Sequence, residues 1–243
     1  MALVQFCVSE FVQLLVDRKN DISSFTGCSR CDSCGHRLNY IDMIPVLNIL
    51  FTKGRCRYCG KRISPSYTVF EAVTFFAWCF LYFTLFKGSS WGYLLLNFLL
   101  YNLLVYIVYF DYKWKEVPLL ALIIFFVLNT LLSREFYPFE LIPMGISVIS
   151  AVMFIKAIKY RELGFFQMFG LGDLIFLAIT TLFYGLDFNI RMLFVSLILV
   201  FIYYNKELFK RGRLLKLPLL TFLGVAYYIV LISALYFPLY RFV

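Results

Sequence analysis

Long apolar segments separated by short polar ones dominate the pattern along this chain. A membrane helix needs about 20 mostly apolar residues to cross the hydrocarbon layer. Seven segments approach that length and are predicted to span a membrane: 68–86, 91–110, 117–132, 139–155, 173–186, 190–204 and 217–237. An eighth segment, 1–16, is shorter and contains Glu10, so it is marginal as a span. The pattern therefore predicts an all-α, polytopic membrane bundle of seven to eight helices.

The composition excludes several other classes of protein. Hydrophobic residues make up 62% of the 243 positions and charged residues only 15%, with a mean hydropathy of +0.82. Soluble domains are nearer half apolar and a quarter charged. A soluble enzyme, a disordered chain and a disulfide-rich secreted module are therefore all excluded.

The basic residues predict an orientation. Nineteen of the 23 Lys and Arg lie within 17–67, 113–115, 156–161 and 206–216. The positive-inside rule assigns those segments to the cytoplasm. The net charge of +9 is thus explained by orientation and by anionic lipid of the bilayer, and no nucleic-acid partner is expected. We expect a multi-pass membrane protein with these segments on the cytoplasmic side.

Five of the seven cysteines fall in the one long polar segment, 17–67. Cys31 and Cys34 form one C-x-x-C-G turn, and Cys56 and Cys59 form another. Two such turns supply the four thiolates that zinc binds in tetrahedral geometry. Since disulfides are disfavoured in a reducing cytoplasm, a structural zinc site is predicted.

The prediction leaves other sets of ligands open. Cys28 stands at the same spacing from Cys31, and His36 is close by, so either could replace one cysteine; reduced, non-liganding thiols are the alternative.

The expected organisation is a membrane segment at 1–16, a zinc-binding domain at 17–67 and a transmembrane domain at 68–243.

Two aspartates are the strongest candidates for chemistry. Asp111 ends the span 91–110, and Asp173 opens a later one, so both are expected at the cytoplasmic boundary. Paired carboxyl groups can hydrolyse a peptide bond, one taking a proton from water and the other donating to the carbonyl oxygen. Helix polarity favours a charged Asp173 at a helix N-terminus and a neutral Asp111 at a C-terminus, so Asp173 is the expected base.

Neighbouring residues bear on this site. Gly170 and Gly172 are expected to leave the backbone open to an extended substrate strand. The alternative interpretation is that Asp173 is only a helix cap and Asp111 an interfacial anchor. Glu71, one turn inside its span, is expected to support the site or pair with a basic residue.

Taken in order, these motifs resemble one family. The segment from Cys31 to Glu71 is similar to the cytoplasmic loop of type IV prepilin peptidases. The family's aspartate seven residues before a proline is matched by Asp111 and Pro118, and its G-x-G-D motif by residues 170–173. The tripeptide at 216–218 resembles the entry to the family's last span.

The resemblance implies an aspartyl endopeptidase with Asp111 and Asp173 catalytic. Its substrates would be prepilins or pseudopilins of pili, type II secretion or competence systems, cleaved after the glycine that ends a basic leader. Many members also methylate the new N-terminus with S-adenosylmethionine. The alternative function is a non-enzymatic membrane subunit or transporter in which a zinc-stabilised loop docks a partner.

This chain departs from the family pattern in places. Ser9, Glu10 and Phe11 stand where the family usually has Gly-Ser-Phe, and the first span is short. Ile175 and Leu119 occupy positions where the family often has a lysine and an acidic residue, respectively. The first departure concerns methylation, and the second concerns rate or substrate choice.

Overall fold

The computed structural model describes residues 2–17, 31, 33–37, 55–62, 65–133, 137–142, 170–208 and 218–236. It divides into two compact units, Met1–Lys87 and Gly88–Val243. All regular elements among these residues are helical, apart from one isolated bridge between Arg55 and Arg62. The all-α prediction is therefore confirmed for the part of the chain that the structure describes.

The first unit contains two packed helices. Helix α1 covers Ala2–Asp17, and α2 covers Pro65–Leu81 and continues as a π-helical turn, Tyr82–Phe86. A proline in the first turn of α2 suits a helix start, because its missing N–H would have no helical partner there. On α2 the buried side chains recur every three to four residues, at Glu71, Thr74, Trp78 and Leu81. The two helices therefore pack against each other through one buried face each.

The second unit contains the remaining helices. Helix α3 covers Trp91–Trp114, α4 covers Leu119–Leu132, α5 covers Leu171–Leu208 and α6 covers Leu219–Tyr236, with a 3₁₀ turn at Pro138–Glu140. Helix α6 packs against α3 and α5, and α4 packs against α3 and α5. Fully buried aromatic rings at the centre of this unit come from α4, α5 and α6: Phe125, Phe176, Phe188 and Tyr227.

Helix α5 folds back on itself at Gly185. Its φ of 80° and ψ of 169° lie outside the helical region and favour glycine. The Asn189 side chain donates to the Leu177 carbonyl oxygen at 2.8 Å, although twelve residues of straight helix would separate them by about 18 Å. The arms on either side of Gly185 therefore lie side by side. This matches the expectation of separate spans at 173–186 and 190–204.

The number of spans stays a prediction. Among the described residues three helices are long and apolar enough to cross a membrane, at Thr68–Phe86, Trp91–Trp114 and Leu171–Tyr203. Leu119–Leu132 and Leu219–Ala234 are shorter apolar helices. Most of the predicted span at 139–155 lies outside the described residues. Large apolar side chains such as Phe76, Trp91 and Leu120 are more than two-thirds exposed, as expected of surfaces that face lipid.

Candidate active site and metal centre

Asp111 lies in the last turn of α3 and is buried, with 4% of its surface exposed. Its Oδ2 atom accepts hydrogen bonds from the Thr221 backbone N–H at 2.9 Å and from the Thr221 hydroxyl at 3.0 Å. The same hydroxyl lies 3.2 Å from the Val108 carbonyl oxygen. These contacts fix the Asp111 carboxyl group against the beginning of α6.

Asp173 is the third residue of α5 and is also buried, at 6% exposed. Its Oδ2 atom accepts the Gly170 backbone N–H at 2.8 Å, while its own N–H donates to the Gly170 carbonyl oxygen at 3.1 Å. The side chain of Asp173 thus reaches back from the first turn of α5 to the residue before the helix and satisfies its N–H, which is half of a capping box. Asp173 itself lies inside the helix, so the alternative interpretation that it is only the N-cap stays untested.

The two aspartates approach the N-terminus of α6. The backbone N–H of Thr221 donates to Asp111 Oδ2 at 2.9 Å, and the preceding backbone N–H, that of Leu220, acts electrostatically on the Asp173 carboxyl group. The charge of Asp111 acts on Asp173 as well, so the two carboxyl groups lie within electrostatic reach of each other. The first N–H groups of a helix have no partner within it and favour negative charge. The beginning of α6 therefore acts on both acids, although they are 62 positions apart in the chain.

Gly172 holds the start of α5 close to the segment that precedes α4. A β-carbon at this position would lie 2.5 Å from Val117 Cγ2, which is closer than real contacts allow. Val117 therefore occupies the space where a Gly172 side chain would lie, and the approach of a substrate strand along Gly170 and Gly172 stays a prediction. Gly170 is exposed, and a β-carbon there would lie 3.3 Å from Asp173 Oδ2.

Lys115 ends α3 in the left-handed conformation, with φ of 57°, which is uncommon for a residue other than glycine. Its backbone N–H donates to the Asp111 carbonyl oxygen, and its Nζ donates to the Tyr112 carbonyl oxygen at 2.9 Å. Partial burial lowers the pKa of Lys115 below its usual value, and the charge of Asp111 opposes that shift. Lys115 is thus a cation near Asp111.

The cysteines lie on two turns with the same hydrogen-bond pattern. In the first turn the N–H of Gly35 donates to the Cys31 carbonyl oxygen at 2.8 Å, and in the second that of Gly60 donates to Cys56 at 2.9 Å. Gly35 and Gly60 have φ of 67° and 69°, a conformation that favours glycine. The glycine after each C-x-x-C pair therefore closes a turn that presents both sulfur atoms.

The four sulfur atoms form one cluster. The Sγ atoms of Cys31, Cys34, Cys56 and Cys59 all lie within 4.8 Å of one another. Those of Cys31 and Cys59 are 3.9 Å apart, and those of Cys34 and Cys56 are 4.0 Å apart. Tetrahedral zinc with bonds of about 2.3 Å would separate its sulfur ligands by about 3.8 Å. The predicted grouping of these cysteines is confirmed, and its geometry fits zinc.

The turns also act on the thiol groups. Backbone N–H groups of Ser33 and Cys34 lower the pKa of Cys31 to about 6. The backbone of His36 lowers the pKa of Cys34, but partial desolvation and the neighbouring sulfur atoms outweigh it and raise that pKa to about 11. Four crowded thiols cannot all ionise without a cation, and a bound metal would supply the positive charge.

The other candidate residues have different surroundings. The His36 ring packs on Tyr58, with centroids 3.5 Å apart, and is not part of the sulfur cluster, whereas Cys28 lies outside the described residues. Glu140 accepts the Leu186 backbone N–H where α5 folds back, and Asp187 pairs with Arg191. These two acids serve as a cap and a surface ion pair.

Thr221 was not identified from the sequence. It lies 110 positions from Asp111, and a threonine in an apolar helix carries no signal of its own. Pro218 was the available clue, because a proline before an apolar segment predicts a helix start with unpaired N–H groups. The proline therefore could have predicted an anion-binding N-terminus on α6, but not that Asp111 is the acid bound there.

Comparisons with known proteins add the family context. The family model described as "Bacterial Peptidase A24 N-terminal domain" matches residues 3–85. That range nearly coincides with the first compact unit. No solved structure matches this chain.

Several curated proteins are similar to parts of the chain. The "Prepilin leader peptidase/N-methyltransferase" of Myxococcus xanthus (strain DK1622) is 35% identical over 115 residues, which cover 46% of this chain and 33% of the relative. The protein of the same description from Vibrio cholerae serotype O1 is 34% identical over 94 residues, covering 37% and 34%. One from Bacillus subtilis (strain 168) is 46% identical over 46 residues, covering 19% and 18%. The chain matches about a third of these relatives' length at most.

Proposed function

Because this chain is related to the type IV prepilin peptidases, we propose that it is a membrane endopeptidase that removes the leader from prepilins or pseudopilins. We propose Asp111 and Asp173 as its catalytic residues. The observation that carries the proposal is that two buried carboxyl groups lie within electrostatic reach of each other at the start of α6, where the Thr221 N–H binds Asp111.

The arrangement suits two carboxyl groups with different roles. Asp173 lies in the first turn of α5 and accepts the Gly170 N–H, a position where the helix dipole favours a charged carboxyl group. Asp111 lies at the C-terminal end of α3, which favours its neutral form. When Asp111 Oδ2 carries a proton, it can donate to the Thr221 hydroxyl, which then donates to Val108. We therefore assign Asp173 as the base and Asp111 as the acid.

Hydrolysis then proceeds without a covalent enzyme intermediate. Asp173 takes a proton from water as the water oxygen bonds to the carbonyl carbon of the scissile peptide, and Asp111 gives its proton to the carbonyl oxygen. In the second step the hydroxyl proton returns to Asp111 while the C–N bond breaks. The leaving nitrogen receives the proton held by Asp173. Both residues end in their starting states.

The position of both acids at helix ends supports a peptidase over a transporter. Asp111 is in the last turn of α3 and Asp173 in the first turn of α5, whereas ion-coupling acids of transporters lie near the bilayer midplane among broken helices. A substrate with an apolar helix would remain in the bilayer, with its scissile bond at the boundary. We propose that this boundary is the cytoplasmic one, because the basic residues favour it.

Zinc is the metal that we propose for the four cysteines. Bound there, it would supply folding free energy to the polar segment, since both turns would share one ion. Cys31, Cys34, Cys56 and Cys59 would hold it. No step of the hydrolysis passes through this metal.

Methylation of the freed N-terminus is a separate proposal. The printed names of the relatives include an N-methyltransferase, and the matched family domain covers residues 3–85. S-adenosylmethionine is the methyl donor that the resemblance implies, and we assign no residues to it. The mass of the processed N-terminus tests this proposal, because a methylated product is heavier by one methyl group.

Coexpression with a prepilin tests the peptidase. We expect the intact chain to convert the substrate to a shorter product on a gel, and Asp111→Asn and Asp173→Asn to abolish conversion. Asp187→Asn is the matched control, since that carboxyl group is 64% exposed and pairs only with Arg191 among the described contacts. Normal processing by both active-site variants would overturn the proposal.

A further inference from the structure

The first unit contains a buried carboxyl group of its own. Glu71, on α2, is 4% exposed, and its Oε2 atom has no hydrogen-bond partner among the described residues. The charge of Glu10, on α1, acts on it, so the two side chains are within electrostatic reach. Ionisable groups inside membrane helices are costly and usually functional.

Both helices of this unit bury further polar side chains. Four more polar side chains of α1 and α2 are at most 6% exposed: Gln5, Ser9, Gln13 and Thr74. The sequences of Ala2–Asp17 and Pro65–Phe86 contain no Lys or Arg, so neither helix offers a counterion of its own. A buried carboxylate oxygen without a donor costs as much as a lost charged hydrogen bond.

We propose that Glu71, together with Glu10, binds a primary ammonium group of the substrate. An ammonium carries three N–H donors and no acceptor, which matches two carboxyl groups on helices that have no Lys or Arg of their own. The first source of such a group is the α-amino terminus that cleavage exposes, and the second is a lysine side chain of the leader.

The identity of the substrate rests on the proposed function, but the ammonium site can be tested without catalysis. The full-length protein in detergent is titrated with a fluorescent apolar peptide whose α-amino group is free. The comparison peptides are its N-acetylated form and an acetylated form that contains one lysine.

We expect the free-amine peptide to bind about tenfold more tightly than the acetylated one, which corresponds to ~1.4 kcal/mol. Glu71→Gln preserves size and removes the charge, so it should abolish that preference. Asp187→Asn, an exposed acid-to-amide control, should retain it. The lysine peptide identifies the source, because tight binding of it alone assigns the site to the leader.

Two results would overturn the inference: equal binding of all three peptides to the unaltered protein, or an unchanged preference for the amine-bearing peptide in Glu71→Gln. If Glu71→Gln does not fold, as judged by size-exclusion chromatography, the titration is repeated with Glu10→Gln. An unchanged preference in that variant would also overturn the inference. Prepilin cleavage by the unaltered protein is measured in parallel. Failure of cleavage rejects the proposed function and leaves the peptide titration to report on the ammonium site.

Discussion

Thr221 gives the sharpest test of how the acid pair is positioned. Its hydroxyl lies 3.0 Å from Asp111 Oδ2, and its backbone N–H contacts the same oxygen at 2.9 Å. Thr221→Val removes the hydroxyl, keeps a side chain of nearly the same shape and leaves the backbone contact in place. The change therefore isolates one hydrogen bond to the proposed acid.

The expected size of the effect follows from that bond. A hydrogen bond to a charged group contributes about 1.5–3 kcal/mol, and each ~1.4 kcal/mol changes a rate tenfold. Initial rates of prepilin cleavage in membranes should therefore fall by about 10- to 100-fold in Thr221→Val. Thr221→Ser, which keeps the hydroxyl, should stay close to the unaltered protein.

The matched control is Thr130→Val. The Thr130 hydroxyl is exposed and donates to the Val127 carbonyl oxygen of its own helix, so its removal should leave the cleavage rate unchanged. Equal rates for Thr221→Val and the unaltered protein would refute the positioning role. Equal losses in the valine and serine variants would show that shape, and not the hydroxyl, is what Asp111 requires.

Two further changes test packing and metal binding. Gly172→Ala would place a methyl carbon 2.5 Å from Val117 Cγ2, so it should destabilise the protein by about 1–3 kcal/mol and lower its melting temperature in detergent, whereas Gly92→Ala, with open space around it, should not. Cys56→Ser should release zinc measured by elemental analysis. Because zinc requires thiolates, its affinity should fall with decreasing pH, most steeply below about 6, where Cys31 also becomes protonated; pH-independent retention would contradict thiolate ligation.

Local spacing predicted the metal centre better than the acid pair. The C-x-x-C-G turns at Cys31 and Cys56 are determined by local sequence, because each glycine closes its turn through a backbone hydrogen bond within five residues. Hydropathy predicted two spans around residues 173–204, but not that a single glycine, Gly185, separates them. The aspartates were identified as candidates because charge is rare in apolar helices.

What the sequence did not reveal were contacts between distant helices. The Thr221 bond to Asp111 and the packing of Gly172 on Val117 depend on how α3, α5 and α6 approach one another. No pattern within one helix encodes those distances, because apolar packing sets them for the whole unit.

Both acids depend on the position of α6, because the beginning of this helix acts on each of them. A β-carbon at Gly224 would lie 2.2 Å from Val108 Cγ2, so α6 and α3 are locked in register one turn beyond Thr221. Any sliding of α6 would move Leu220 and Thr221 together, and with them the surroundings of both carboxyl groups. With 18 residues, α6 is about 27 Å long, slightly less than a typical hydrocarbon layer of ~30 Å. On the predicted crossing of the bilayer by this helix, we expect bilayer thickness to act on both acids at once, so that thin and thick lipid mixtures differ in cleavage rate before they differ in substrate affinity.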